Sequence, residues 1–291
     1  MKALILIWKS LRPRQWTKNL FIFAAVLFSQ NIFNFPFLLK TIFPFFIFCF
    51  FSGCVYIIND LTDLEQDRHH PVKSQRPLAS GKLKISYAIA ALIILLPFLL
   101  GISYCLSHSF FWIVLIYFLL QLAYSFYLKD IVILDVFAIA CGFVLRVVAG
   151  ALVIDVEISS WLIICTILLA LFLSLGKRRY ELVALGEEAS NHRNVLKKYS
   201  PYLLDQMISI VTAATVVAYC LYTVSEETIG KFGTRNLIFT VPFVLYGIFR
   251  YLYLIHQKNS GGSPENILVT DKPLMVGIFL WITVAGIILY G

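Results

Sequence analysis

The feature that most constrains this chain is a succession of long apolar stretches separated by short polar ones. A helix of about 20 apolar residues crosses the roughly 30 Å hydrocarbon core of a bilayer, and helices are one of only two backbone forms that satisfy all their hydrogen bonds there. Spans are expected at about Leu20 to Phe37, Thr41 to Leu61, Ile85 to Cys105, Phe110 to Leu128 and Ile131 to Ile154. Four more are expected at about Trp161 to Leu175, Tyr202 to Val224, Leu237 to Ile255 and Pro273 to Tyr290. The reading is an all-α polytopic membrane protein with about nine transmembrane helices. Of the 291 residues 60% are hydrophobic and 14% charged, well outside the soluble range.

The formal charge of +8 does not point to nucleic acid, because the basic residues fall between apolar segments rather than on a soluble face. They report orientation instead. Lys and Arg collect in the arm of residues 1–19, after the second span, at Lys129, from Lys177 to Lys198 and from His256 to Lys272. The intervening loops are poor in them, so the basic side, with the N-terminus, is expected to be cytoplasmic. The arm carries Trp8 and Trp16 among its cations and reads as an interfacial segment. It lacks a small-residue cleavage site, so no cleaved signal peptide is expected. Six cysteines sit in apolar runs with no metal-ligand or disulfide spacing, as small buried hydrophobes do.

One polar stretch stands apart. It runs from Asn59 to Gly81, at the end of the second span. Asp60, Asp63 and Asp67 are three and four residues apart, so a continuing helix would bring all three to one face, with Asn59 at its edge and Glu65 turned away. Carboxylates gathered this way repel unless a cation lies between them. Oxygen ligands suit Mg²⁺, which shares its coordination with substrate phosphates, and Arg68, Lys73 and Arg76 supply phosphate partners directly afterwards. On pattern alone a magnesium–diphosphate site and a solvated charged loop both remain open.

These residues resemble a known family. Asn59, Asp60, Asp63 and Asp67 at the end of a second membrane helix look like the first aspartate-rich motif of the UbiA superfamily of intramembrane prenyltransferases. Arg68, His70, Pro71, Lys73, Arg76, Pro77, Ala79, Ser80 and Gly81 resemble the branch containing decaprenyl-phosphate phosphoribosyltransferase. Arg12, Pro13, Gln15, Trp16, Lys18 and Asn19 in the arm agree with that branch, as do Tyr124, Ser125, Leu128, Lys129 and Asp135. So do Gly142 with Arg146, Ala149 to Ala151, and Leu175 to Arg179 with Glu181. The resemblance covers about the first two-thirds of the chain.

Where the wider superfamily carries a second aspartate-rich motif, this chain reads Lys177, Arg178, Arg179, Tyr180, Glu181. A cluster of cations suits a phosphate gripped directly. The resemblance therefore implies transfer of 5-phosphoribose from phosphoribosyl diphosphate to a polyprenyl phosphate lipid, with Mg²⁺ as cofactor and a UbiA-like bundle over residues 1–291 as a single domain. The active site would lie at the cytoplasmic side, in loops 62–84 and 176–200. The metal would be held by Asp60, Asp63 and Asp67, with Asn59 assisting. Lys177 is expected to act with the aspartates in catalysis and, with Arg178 and Arg179, to position the lipid phosphate. Arg68, Lys73 and Arg76 would take the sugar's phosphates. Lys18, Tyr124, Lys129, Asp135, Arg146 and Glu181 complete the expected substrate-binding set.

Bland readings stand beside these. Lys129 and Asp135 suit a membrane interface and a helix start, and Lys177 to Arg179 suit a positive-inside anchor. Arg146 lies inside the fifth span, where a cation needs a cavity or a partner, and a structural pair is as open as a substrate role. Gly142 and Gly150 suit close helix packing. Two other functions fit the sequence less well: prenyl transfer from a diphosphate to an aromatic or quinone-precursor acceptor, disfavoured by the missing second motif, and a transporter, disfavoured because charge gathers at one face rather than the midplane.

Overall fold

The computed structural model describes residues 2–31, 33–69, 73–185, 194–258 and 264–290. His70, Pro71 and residues 186–193 of the expected loops lie outside them. Among the described residues the chain is built from helices and turns, with no strand. Eight helices are long and apolar enough to cross a membrane. They are α3 (Phe35–Thr62), α5 (Ile85–Leu106), α6 (His108–Phe126), α7 (Leu134–Ile154), α8 (Ser160–Leu185), α9 (Pro201–Val224), α11 (Val241–Gln257, entered through the 3₁₀ turn Asn236–Thr240) and α13 (Lys272–Tyr290). Shorter helices are α1 (Lys2–Ser10), α2 (Ala24–Phe28), α4 (Leu64–His69), α10 (Glu226–Phe232) and α12 (Pro264–Thr270).

The stretch expected as the first span, Leu20 to Phe37, is built differently from the others. Pro13–Phe23 is a 3₁₀ helix that runs into α2. A 3₁₀ helix rises about 2.0 Å per residue and an α-helix about 1.5 Å, so the two pieces together extend about 30 Å. Only the second half of this segment, Leu20 to Phe28, is apolar and falls in the expected span, about 15 Å of it, so that span is not among the eight found, and Phe35 to Phe37 open α3 instead. The segment is also unusually buried: Ile22 and Val26 are sealed against neighbouring helices. Gly150 of α7 makes this approach possible, because a Cβ there would stand 2.0 Å from the Ile22 carbonyl oxygen.

The chain divides into two compact units. The first holds residues 1–129 and 142–158, the second 130–141 and 159–291. In the first, Phe48 and Phe51 of α3 pack with Phe110 and Tyr117 of α6, Ile22 and Ala149. A second cluster seats Leu11 against Ile57, Leu78 and Leu83, which fixes the arm and the polar loop to the end of α3. Little of α5 is buried, and Ile93, Ile94 and Phe98 face outward, as an apolar helix does when lipid is its solvent. In the second unit α8 packs along α9. The Trp281 indole donates to the Tyr219 hydroxyl at 2.8 Å, and Tyr219 meets Thr240 at 2.7 Å, joining α13, α9 and the start of α11.

Two helices exceed what a bilayer needs. At 28 and 26 residues, α3 and α8 are about 42 and 39 Å long, so roughly two turns of each project past a 30 Å core. Those final turns carry Asn59 and Asp60 on α3 and Lys177 to Glu181 on α8.

Candidate active site

The polar stretch keeps nearly helical backbone past the end of α3. The Asp63 N–H donates to the Asn59 carbonyl at 2.9 Å and the Asp67 N–H to the Asp63 carbonyl at 2.8 Å. The three aspartates nevertheless do not converge as a trio. Asp60 and Asp67, two turns apart, point to the same place and are both buried. There the Arg76 Nη1 bridges them, donating to Asp60 Oδ1 at 3.0 Å and, in a shorter contact, to Asp67 Oδ2. Lys73 adds a charge 3.6 Å from Asp67 Oδ1. Asp63, at the helix end, instead accepts from Lys129 Nζ at 2.8 Å. Among the described residues no three His, Cys, Asp or Glu side chains are grouped closely enough to hold a metal by themselves.

Arg12 joins this group and was absent from the sequence-based set of site residues. It pairs with Asp60 Oδ1, and its guanidinium lies 4.7 Å from the Tyr56 ring centroid. Its backbone is left-handed, with φ 51° and ψ 62°, a conformation costly for a residue with a side chain. The sequence held half the signal: the residue before a proline avoids the α-helical region, so α1 must end here. Where the side chain then goes was not legible. Asp60 Oδ2, buried with no hydrogen-bond partner among the described residues, is the open valence of the cluster.

The remaining expected residues of the first unit are more scattered. Lys18 donates to Gln15 Oε1 at 2.8 Å, which also accepts from the Tyr56 hydroxyl. Arg68 is exposed and pairs with Glu65, three residues back. Asn59 and Tyr124 are half-buried. Arg146, 6% exposed, is caged by neutral groups. It donates to Asn19 Oδ1 at 2.7 Å, to the Gly142 carbonyl at 2.8 Å and to the Tyr117 hydroxyl at 2.8 Å, with the Phe143 ring 5.2 Å away. No carboxylate pairs with it among the described residues, so the structural ion pair weighed from sequence is not the arrangement found.

The second unit holds the other charged group. Arg178 is almost wholly buried, donating from Nε to Asp135 Oδ2 at 2.7 Å and from Nη1 to Glu181 Oε2 at 2.9 Å. Asp135 also accepts from the Tyr199 hydroxyl at 2.8 Å, and that hydroxyl accepts from the Ile133 N–H at 2.7 Å. Burial, reinforced by the Asp135 charge, pushes the Tyr199 phenol far above its ordinary range, so it remains a donor. Arg178 is thus enclosed by two carboxylates rather than presented as part of an open cluster. Lys177 and Arg179 flank it, half-buried, and Arg179 pairs with Asp205, which His256 also approaches at 3.3 Å. The Arg178–Glu181 contact was legible as an i,i+3 pair. Asp135 and Tyr199 were not, since nothing local ties them to Arg178.

Comparison with known proteins agrees with this architecture. A Corynebacterium glutamicum protein named decaprenyl-phosphate phosphoribosyltransferase is 31% identical over 280 residues, 94% of this chain and 83% of its own length. The protein of that name from Mycolicibacterium smegmatis is 30% identical over 97% of this chain and 92% of its own. Among solved structures, a UbiA homolog from Archaeoglobus fulgidus bound to GPP and Mg²⁺ superposes with a TM-score of 0.72 at 20% identity, covering 98% of this chain and all of that one. The UbiA prenyltransferase family model matches residues 19–283, across both units. This chain is a multi-pass integral membrane protein and belongs to the UbiA prenyltransferase family.

Proposed function

We propose that the protein transfers 5-phosphoribose from phosphoribosyl diphosphate to a polyprenyl phosphate, releasing diphosphate. The observation that carries this reading is the state of the carboxylates in the second charged group. Asp135 and Glu181 are both bound to Arg178, so the segment from Lys177 to Glu181 offers cations, not a second carboxylate site for a metal-held diphosphate. With a single aspartate-rich group left for a metal-held diphosphate, that diphosphate is assigned to the sugar. The lipid would then arrive as a monophosphate, in keeping with the names of the relatives at about 30% identity.

The first group suits Mg²⁺. Its donors are carboxylate oxygens, and the partnerless Asp60 Oδ2 is an acceptor that a cation or its water would satisfy. A magnesium ion held by one or two carboxylates and completed by substrate phosphates needs no cage of three. Asp60 and Asp67 are assigned as its holders, with Asp63 and Asn59 beside them. Bound there, the ion would neutralise charge on the departing diphosphate. Arg12, Arg76 and Lys73 hold the carboxylates apart and in place, and their remaining N–H groups face phosphate oxygens as donors. Lys129 orients Asp63. The lipid phosphate is already anionic at neutral pH and attacks the anomeric carbon without a general base, so no residue is assigned to take a proton. Lys177 and Arg179 are assigned to that phosphate; Arg178, enclosed as it is, positions them. Arg146 remains a substrate-binding candidate because no carboxylate pairs with its charge among the described residues. The whole chain is taken to act as one domain in a cytoplasmic membrane with its N-terminus inside.

The test is incorporation of labelled phosphoribose from phosphoribosyl diphosphate into the lipid fraction by purified protein with Mg²⁺ and polyprenyl phosphate, beside Asp67→Asn. Metal-dependent labelling lost in the variant supports the assignment. A folded wild type that labels no polyprenyl phosphate at any chain length, yet transfers a prenyl group from its diphosphate, refutes it.

A further inference from the structure

A cavity of about 730 Å³ lies in the second unit, between α9 and α11. Its size falls in the range of small-molecule sites, about 300–1,000 Å³. Along α9 it is lined by Asp205, Ser209, Ala213 and Val217, one residue per turn. Leu245, Phe249, Leu252 and His256 line it along α11. From Asp205 to Val217 is twelve residues, about 18 Å, close to the roughly 15 Å of one leaflet's hydrocarbon. The lining grades from polar to apolar over that depth. At one end Arg179 and His256 both meet Asp205, while Val217 and Phe249, further in, are largely exposed and would face lipid.

One group inside the cavity lacks a partner. The Thr212 Oγ1 is buried and makes no hydrogen bond among the described residues. Its neighbours on the same helix behave otherwise: Ser209 donates to the Asp205 carbonyl at 2.8 Å and Thr215 to the Val211 carbonyl at 2.7 Å. A hydroxyl in an apolar groove that forgoes its own helix carbonyl is placed for an oxygen on something else. Thr212 lies seven residues, about 10 Å, from the polar end. An isoprenoid chain carries no oxygen at that depth. A glycerolipid carries its ester carbonyls just below its headgroup.

We infer that the groove between α9 and α11 binds one glycerophospholipid of the surrounding leaflet. Its polar headgroup lies at His256 and at Asp205, whose charge Arg179 offsets, an ester carbonyl accepts from Thr212, and an acyl chain runs past Ala213 and Val217. The site is separate from the one assigned to the polyprenyl phosphate, and occupancy would brace α9 against α11 beside the Arg179–Asp205 pair.

Native mass spectrometry of the intact detergent-purified protein tests this, with phosphatidylglycerol added in one series and polyprenyl phosphate in another. Ala213→Trp fills the groove, and Thr212→Val removes the hydroxyl at nearly constant volume; melting curves establish that each variant folds. The wild type should retain one phosphatidylglycerol through activation that strips others, with retention about tenfold lower in Ala213→Trp and several-fold lower in Thr212→Val. Polyprenyl phosphate binding should be unchanged in both. Equal retention in wild type and Thr212→Val overturns the inference, and should Ala213→Trp fail to fold, Thr212→Val alone decides. Loss of polyprenyl phosphate binding in Ala213→Trp would make the groove the substrate's own, and conversion of a dimer to a monomer would make it an interface between copies. Either result also overturns it.

Discussion

The role of Arg178 can be decided by a double-mutant cycle with Asp135. Replacing Asp135 by Leu strips a guanidinium only 2% exposed of its buried carboxylate and leaves the Tyr199 hydroxyl without its acceptor. Breaking a buried pair from one side costs about 3–5 kcal/mol. Glu181 keeps one charge-assisted bond to Arg178, so the lower end, about 3 kcal/mol, is expected. Adding Arg178→Met removes the stranded charge. Buried pairs replaced by apolar residues of similar volume are often near neutral, and Glu181, 23% exposed, can return to water. The double variant should therefore recover about 2 kcal/mol of the single's loss, within the usual coupling range of contacting residues. At about 2–4 °C per kcal/mol for a chain of this order, Asp135→Leu should melt about 6–12 °C below wild type and the double variant about 4 °C or more above the single. Thermal melting in one detergent, followed by intrinsic fluorescence and size exclusion, measures this. A double variant no more stable than Asp135→Leu would refute the reasoning. So would an Arg178→Met that melts like wild type but raises the KM for polyprenyl phosphate, since that guanidinium would be gripping substrate.

Four further outcomes are expected. Arg76→Met removes the bridge between two buried carboxylates and should lower kcat at least a hundredfold in the labelling assay; wild-type kcat would exclude Arg76 from the site. Gly150→Ala places a methyl against the Ile22 carbonyl, and overpacking of about 1–3 kcal/mol should appear as a lower melting temperature; an unchanged one would contradict the close approach. Arg146→Lys keeps the charge but cannot reach Asn19, Gly142 and Tyr117 together, so melting should drop by several degrees, and a neutral result would mean the cage is not holding the helices. Arg250 hydrogen bonds hold the Asp271 carboxyl below its ordinary pKa. A lowered folded pKa gives stability that is full above the unfolded value and lost as pH falls through the folded one. Melting should thus be level from neutral pH to about 5 and decline below about 4, with the Asp271-dependent part of that decline missing in Asp271→Asn.

What the sequence made legible follows from distance along the chain. Span positions are local properties of composition, and so is the pairing of Asp60 with Asp67, set by helical spacing. The departure of Asp63 towards Lys129 depends on a partner 66 residues away, which no period announces. The same holds for Arg146: its isolation in an apolar helix signalled a partner, but Asn19 and Tyr117 belong to other segments and carry no charge to reveal them. The stretch after Leu20 was read as an ordinary span because hydropathy does not distinguish 3₁₀ from α. Its burial against Gly150 is a property of packing. Arg178 shows the opposite failure. Its charge and position suggest an exposed role, whereas Asp135, brought from 43 residues upstream, encloses it together with Glu181.

The neutral cage of Arg146 bears on how the chain is made. A cation at the centre of a membrane helix costs about 2.5–3.5 kcal/mol on insertion, a burden the mean hydropathy of 2.4 in α7 can carry. Asn19 and Tyr117 both precede Arg146, so when this helix leaves the ribosome every acceptor it will use has been synthesised. Asp135, eleven residues earlier on that helix, is in the reverse position, because Arg178 and Tyr199 come later. During synthesis, then, the middle of α7 can dock at once while its first turn waits, its carboxylate in the aqueous boundary, until α8 and the segment after it arrive to claim it.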